Sequence, residues 1–529
     1  DPAPSPREGI ILPSGSVEAT LTKVWARVLH LDEAAIGVLD DFFRLGGHSI
    51  RAIRLINEIH SAFGVKMGLR EVFDHTSIRQ QSALLERKGA QQEPSMPKAG
   101  ERVDYPASSA QERMFYAHLQ DGNSLAHNIS GIFEIRGMVD MERLQWAFQA
   151  LVERHEGLRT HFMLTDHGLV QQISPMTAVQ TAITERGPHT FGSGYQDFYA
   201  DFIRPFDLKA APLVRVGLFR GEGTYLCIDV HHIICDGISL DILMEDFKRI
   251  YLGYPVEPLE FRYVDYACWQ KSRIGQASKT YWAKRLSGET PRLDLPRSIG
   301  PGYGAAASVQ TLDTGGALYD AIREFTAAAN VSDYMFFLSV YYLLLHKMTG
   351  NTDIIIGTDA AGRSGPECKN IVGTFINILP IRLEANPYGT YEEFLGSLRN
   401  TVLEDFEHQD FPYDEMISLA ESGGKRGKDP LVTVHFAFAN FIEKGIEMEA
   451  LSFIPVDIAG TQRTQYEWKL EVTAGEGSFK VRFIYSRGYD DETIALMMKY
   501  YRNILQTVLH NPSIRVGDIE MESYLPVES

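Results

Sequence analysis

The chain has 529 residues, 44% of them hydrophobic and 23% charged, which is the balance of folded domains with real cores and excludes a disordered or fibrous chain. Its formal net charge of −18 argues against nucleic acid as a partner, because phosphate binding needs a basic footprint; protein partners stay open. At roughly 150 residues per domain, about three compact units are expected.

The opening stretch, DPAPSPREG, has no apolar segment of the signal-peptide kind. Val17, Leu21, Val24, Trp25 and Val28 then recur at helical spacing after a capping run at 14–16. A turn over 37–41 leads into the phrase DDFFRLGGHS. A second helix follows, with Ala52, Ile53, Ile56, Ile59 and Phe63 on one face and Gly64 at its end. A last helix over 77–87 completes a bundle of roughly 80 residues, near the lower limit for a self-sufficient core. Residues 89–100, GAQQEPSMPKAG, have no hydrophobic pattern and read as a linker.

Beyond the linker, helices and strands mix. A helix is expected over 140–155 and a strand over 225–230. A helix carrying Leu240, Leu243, Met244, Phe247 and Tyr251 on its inner stripe follows, with Ser239 as its cap. A dense apolar helix spans 333–348, and strands are expected over 354–357, 375–383 and 432–440. Mixing without strict alternation favours α+β over a doubly wound fold. The most apolar run, 335–345, is shorter than the about 20 residues of a membrane span and reads as a buried helix. The cysteines Cys227, Cys235, Cys268 and Cys368 form no CxxC pair, which suits reduced thiols in a soluble cytoplasmic protein and gives no metal site.

Two phrases carry chemistry. Ser49 follows Gly46 and Gly47 at the start of a helix, where unpaired N–H groups and the positive dipole end favour a phosphate. On the residues alone, Ser49 reads equally as a plain helix cap. The second phrase is His231-His232-Ile233-Ile234-Cys235-Asp236-Gly237, between a strand and a helix. A histidine is suited to taking a proton near neutral pH, and Asp236 to fixing the loop or holding a cation. Neither helical ligand spacing nor a third ligand supports zinc. An isolated histidine pair is also compatible with a satisfied strand end.

The phrase over 40–50 resembles the peptidyl carrier signature DxFFxLGGHS(L/I). The stretches SAQERMFY (109–116), RHEGLRTHF (154–162), HHIICDG, YVDYACW (263–269), VGTFIN (372–377) and HQDFPY (408–413) resemble, in order, the motifs of condensation domains of nonribosomal peptide synthetases. The resemblance implies a small all-α carrier four-helix bundle over 1–88 and a linker over 89–103. After these would come an α+β condensation domain of two chloramphenicol-acetyltransferase-like lobes, 104–278 and 279–529. It implies 4′-phosphopantetheine on Ser49, His232 as the catalytic histidine beside His231, and Asp236 and Gly237 shaping the loop. Arg363 would be the partner of Asp236 from the second lobe, and Asn377 would give structural support. Two segments depart from the pattern: Lys428 stands where an arginine is usual, and Glu467 where an aspartate is usual.

The implied reaction is amide formation between a donor thioester, held on the fused carrier, and an aminoacyl acceptor on a downstream carrier. An L-type donor is expected, in a pathway of the antibiotic or siderophore kind. An upstream adenylation domain and a phosphopantetheinyl transferase are the other implied partners, with neither nucleic acid nor membrane. Competing readings are an epimerisation domain, a heterocyclisation domain, a coenzyme A acyltransferase, and a non-catalytic recruitment platform. The EGHGRE and DxxxxD signatures of the first two are absent.

Overall fold

The computed structural model describes residues 10–29, 31–47, 49–89, 96–120, 125–187, 194–272, 275–295, 307–423, 430–439, 445–448, 451–456, 464–475, 477–486 and 489–521. The N-terminal bundle consists of α1 (Ser16–Leu29), α2 (Ser49–Phe63), α3 (Leu69–Asp74) and α4 (Ile78–Lys88). Its centre is Trp25, fully buried, with Phe42 edge-on at 5.1 Å and Phe43 stacked on Phe73 at 4.4 Å. The phrase before α2 is built around these rings. Asp41 accepts hydrogen bonds from the N–H groups of Phe43 and Arg44, at 2.9 and 3.0 Å, which pins the turn. Gly46 takes a φ of +95°. Gly47 lies so close that a Cβ there would sit 2.3 Å from the Phe42 ring and 2.6 Å from its carbonyl. The two glycines thus fold the backbone flat against a core ring and deliver Ser49 as the first residue of α2.

The next unit comprises β1 (Tyr105–Pro106), α5 (Ser109–Gln120), β2 (Asn128–Gly137), α6 (Met141–Arg154), β3 (Thr160–Thr165), β4 (Gly168–Ile173), β5 (Thr184–Arg186), α7 (Tyr195–Phe202), β6 (Val214–Arg220), β7 (Thr224–His231), α8 (Gly237–Leu252) and α9 (Tyr263–Ser272). The last comprises α10 (Gln276–Arg285), β8 (Ser308–Asp313), α11 (Ala317–Ala328), α12 (Asp333–Thr349), β9 (Asp353–Ala360), β10 (Asn377–Glu384), α13 (Tyr391–Glu407), α14 (Tyr413–Gly423), β11 (Val434–Ala439), β12 (Ile446–Met448), β13 (Leu451–Pro455), β14 (Trp468–Ala474), β15 (Phe479–Tyr485) and α15 (Asp491–His510).

Among the described residues the first lobe's main sheet runs β12-β13-β2-β7-β6-β5, and the second lobe's runs β10-β9-β11-β14-β15-β8. The expected lobe division at 278/279 needs correcting on two counts. It falls inside α10, whose Trp282 is buried in the second lobe's core. In addition, β12 and β13 come from the second half of the chain yet extend the first lobe's sheet, β13 pairing antiparallel with β2. Strand edges are satisfied by whichever backbone reaches them, regardless of sequence distance. No single helix among the described residues is long and apolar enough to cross a membrane. The run 335–345 is buried in α12 against Phe436 and Phe483.

Part of the expected linker, and the bundle before it, are held against the rest of the chain. Residues 96–100 are bound rather than free: Met96 is buried, and the Ala99 N–H donates to Asp265 at 2.8 Å. The bundle itself docks on the second lobe. Arg399 reaches Asp74 at 2.9 Å, Arg323 donates to the Phe43 carbonyl at 2.8 Å, and Asn57 of α2 donates to the Arg363 carbonyl at 2.7 Å.

A Cβ at position 47 would have to displace Phe42 or its carbonyl, so Gly47→Ala should cost about 1–3 kcal/mol locally. Hydrogen exchange followed by mass spectrometry should show faster exchange across α2 with α12 unchanged; undiminished protection of α2 would contradict this account of the phrase.

Candidate functional site

β7 ends at His231, and the chain makes one tight turn over His232–Ile234 before α8 begins. Asp236, not Ser239, caps α8: its carboxylate accepts the Ser239 N–H at 2.8 Å. A carboxylate at a helix N-terminus gains from the dipole as well as the hydrogen bond. Gly237 is the first residue of that helix.

The same carboxylate ties the two lobes together. Its Oδ1 accepts from the Ser239 hydroxyl at 2.7 Å and from Arg363 Nη2 at 3.0 Å, and its Oδ2 accepts from the Phe375 N–H at 3.0 Å. Ser239 Oγ also accepts from Arg363 Nη2 at 2.9 Å and the Gly373 N–H at 3.0 Å. Arg363 Nη1 donates to the carbonyls of Cys368 and Ile371, and its guanidinium lies 4.0 Å from the centre of the Phe375 ring. Both side chains are about 95% buried, at 5% and 4% exposure. Such a pair offsets its desolvation only when its remaining donors and acceptors are occupied, and here most are. The backbone must pass tightly to achieve this. Gly362 has a φ of +62°, and a Cβ there would overlap the Phe375 carbonyl at 2.0 Å.

The two histidines face opposite ways. His231 is fully buried, its Nδ1 accepting the Ile233 N–H at 3.1 Å and its Nε2 without a partner among the described residues. His118, His127 and Phe206 surround its ring at 5.3, 5.9 and 6.0 Å. Burial, followed by His127, His118, His232 and Arg215, pushes its pKa down to about 2. His232 is partly exposed, with its backbone N–H held by the His127 carbonyl at 2.7 Å. Burial of the ring depresses its pKa, against the partial support of its own backbone, Asp236 and Asp359. Its Nδ1 has no partner among the described residues. The site therefore presents an uncharged imidazole able to take a proton.

The other recognised stretches hold this centre in place. Arg113 of α5 donates to the Ile376 carbonyl at 3.2 Å. Tyr263 donates to the Thr374 carbonyl, with Ser108 at 2.7 Å from its hydroxyl. Asn377 Nδ2 donates to the carbonyls of Gln409 and Phe411, both at 2.8 Å, and its Oδ1 accepts the Tyr413 N–H, so VGTFIN clamps HQDFPY. His155 and Arg154 both bind Asp246, each at 2.8 Å. Glu467 accepts from Tyr489 at 2.7 Å. Lys428 lies outside the described residues, as does the side chain of Ser49; the first two residues of α2 are described by backbone alone.

Several neighbours of the centre escape a reading of contiguous motifs: His118, His127, Gln465, Asp359 and His435. Gln465 meets His127 at 3.0 Å across the lobes, and His435 meets Asp359 at 3.1 Å while stacking on Tyr466. The available signal is an ionisable residue inside an otherwise mostly apolar strand, Asp359 in DIIIGTDA and His435 in VTVHFAF. Among the described residues no cluster suits a metal ion.

The comparisons agree with this architecture. A family model described as "Condensation domain" matches residues 101–524, and one described as "Phosphopantetheine attachment site" matches 19–85. Gramicidin S synthase 2 of Aneurinibacillus migulanus is 31% identical over 97% of this chain and 12% of its own length. Tyrocidine synthase 3 of Brevibacillus parabrevis is 30% identical over 96% of this chain and 8% of its own. The chain thus spans a small part of these relatives. Among solved structures, the X-domain from teicoplanin biosynthesis superposes with a TM-score of 0.71 at 19% identity, covering 81% of this chain and all of that one. The first condensation domain of the calcium-dependent antibiotic synthetase gives 0.65 at 18% identity, covering 79% and 99%. At these identities the structural likeness speaks for the fold.

His231 titrates near 6.5 when unfolded and far lower when folded. The unfolded state then binds the extra proton, so the stability His231 contributes is complete above pH 6.5 and falls as pH drops. Between pH 6.5 and 5 the loss is about 2 kcal/mol. His231→Leu should remove that slope, and urea unfolding free energies at pH 7 and 5 should differ between the two proteins by that amount, in the variant's favour at the lower pH. An unchanged difference between the two proteins would mean the ring is protonated in the fold.

Proposed function

The chain belongs to the condensation-domain family and joins that domain to a phosphopantetheine-attachment unit, as its peptide-synthetase relatives do, and on that premise we propose that its reaction is amide formation between two tethered substrates. The acceptor nitrogen bonds to the acyl carbon of a donor thioester, the C–S bond breaks, and the proton lost by nitrogen ends on the departing sulfur. The carrying observation is His232: a neutral, partly exposed imidazole on a loop fixed from both lobes.

Each residue then has a task. His232 receives the proton from the attacking nitrogen and returns it to sulfur. Asp236 and Arg363 hold the loop rigid, which matters because alignment of two bound ends can be equivalent to roughly 10⁵–10⁸ M effective molarity. His231 stays neutral and supports the turn; Asn377 fixes the neighbouring second-lobe segment. Ser49 is the attachment serine. The residues around it fit such a group: Gly46 and Gly47 leave no side chain in the approach, and α2 is long enough to present a true N-terminal dipole to a phosphodiester. When attached there, the 4′-phosphopantetheine arm supplies the thiol that carries the donor acyl group.

The fused carrier is the donor in this reading. The remaining partners are a downstream acceptor carrier, an upstream adenylation domain and a phosphopantetheinyl transferase. The docking of α2 beside Arg363, through Asn57, supports a carrier that works at this domain.

In single-turnover assays with a separate acceptor carrier, His232→Ala should slow amide formation by about 10²–10⁴-fold while remaining folded and loadable. Ser49→Ala should gain no mass with coenzyme A and a phosphopantetheinyl transferase. Full-rate product from His232→Ala would overturn the role of that histidine, and full modification of Ser49→Ala would move the arm elsewhere.

A further inference from the structure

The second lobe's central sheet has two unlike faces. Side chains alternate along a strand, and Phe436, Leu470, Val472 and Phe483 all turn towards α12, buried. The opposite face carries Asp359, His435, Lys469, Glu471 and Arg482, with His435 paired to Lys469 and Glu471 to Arg482 across the strands. Burying such a file is costly unless each charge is paired or used. Three members satisfy one another: Lys469 Nζ lies 2.9 Å from Glu471, which Arg482 also binds.

Asp359 is different. Its Oδ1 takes a hydrogen bond from His435 Nε2 at 3.1 Å, and the His435 ring is held by stacking on Tyr466 at 4.4 Å. Its other carboxylate oxygen has no protein partner among the described residues, and the side chain is 38% exposed within the sheet's polar face. Burial alone would raise its pKa, but His435, which also donates the hydrogen bond, and the Lys469 ammonium hold the carboxyl below its ordinary range. A short chain of contacts runs from Asp359 to His232 across the lobes: His435 stacks on Tyr466, the adjacent Gln465 meets His127 at 3.0 Å, and the His127 carbonyl accepts the His232 N–H at 2.7 Å.

An α-amino group titrates near 8, so an acceptor reaches the site mostly as an ammonium ion. The groups already assigned give it no anion: His231 and His232 are neutral, Arg113 is cationic, and Asp236 is consumed by Arg363, Ser239 and the Phe375 N–H. Resting on the amide-forming reading, we propose that Asp359 is the carboxylate that receives the acceptor's α-ammonium and holds it beside His232. The ammonium docks on the free oxygen of Asp359 and releases one proton to solvent. His232 then takes the second proton, as the resulting amine attacks the thioester, and passes it to the departing sulfur; Asp359 remains a carboxylate throughout. His435 keeps that carboxylate aimed, as a positioning residue.

The experiment compares two acceptors in wild type and Asp359→Asn. One is the best aminoacyl thioester of N-acetylcysteamine from a small panel; the other is its aminooxy counterpart, whose nitrogen is uncharged at pH 7. With the donor loaded on the carrier, Asp359→Asn should raise the apparent KM for the aminoacyl acceptor about tenfold or more. The aminooxy acceptor should change by less than about twofold, and Asp359→Glu should recover part of the loss. Equal losses with both acceptors would make Asp359 a prop for the sheet, and no loss with either would remove it from the site; each overturns the assignment. A wild-type protein that loads its donor yet makes no amide with any acceptor would defeat the amide-forming reading itself. The thermal midpoints of both variants, measured alongside, identify a folding defect.

Discussion

Asp236 and Arg363 meet 3.0 Å apart with almost no solvent around them, one at the start of α8 and the other in the loop after β9. Each is also tied to its own surroundings: Asp236 caps its helix, and Arg363 closes its loop through the carbonyls of Cys368 and Ile371. The pair therefore joins two locally rigid pieces, and its geometry is transmitted to whatever those pieces carry. On one side that is the turn with His231 and His232. On the other it is Gly373 and Phe375, whose backbone N–H groups reach back to Ser239 and Asp236. Two helical and sheet layers with separate cores could otherwise slide past one another, because apolar contact alone is non-directional.

Around this fixed point the charges are arranged with unequal exposure. His231 is sealed among His118, His127 and Phe206 and is kept uncharged. His232, one residue later, leaves that enclosure and is partly exposed. The lobe opposite supplies a polar sheet face rather than another apolar one. The bundle at the N-terminus touches the same region, since Asn57 binds the carbonyl of Arg363 itself. Carrier docking and the lobe-joining pair thus share a residue.

What could be read from the chain was what lies close together along it. The DDFFRLGG phrase is legible because Asp41, Phe42 and Gly47 act on one another within a few residues, and the HHIICDG phrase because turn, cap and histidines are consecutive. Arg363 was reachable as a partner for Asp236 only through family resemblance; its 127-residue separation leaves no local trace. Asp236 rather than the expected Ser239 caps α8: both are good cap residues, and the choice falls to the carboxylate that Arg363 and Phe375 also need. The polar sheet face is not legible in the sequence because its members are spread over β9, β11, β14 and β15, one or two to a strand and far apart along the chain. The insertion of β12 and β13 into the first lobe's sheet leaves even less trace, since an edge strand looks alike whichever sheet receives it.

The central claim is that Asp236 and Arg363 act as one unit that holds the His232 turn against the second lobe. A double-mutant cycle of Asp236→Asn and Arg363→Gln tests it, read both as urea stability and as single-turnover amide formation. Breaking one partner of a buried pair costs about 3–5 kcal/mol, so each single variant should lose most of the effect. The double variant should then be little worse than either, giving a coupling of about 3 kcal/mol or more. Additive losses, with coupling near zero in both readouts, would contradict the account and leave the two lobes held together by something else.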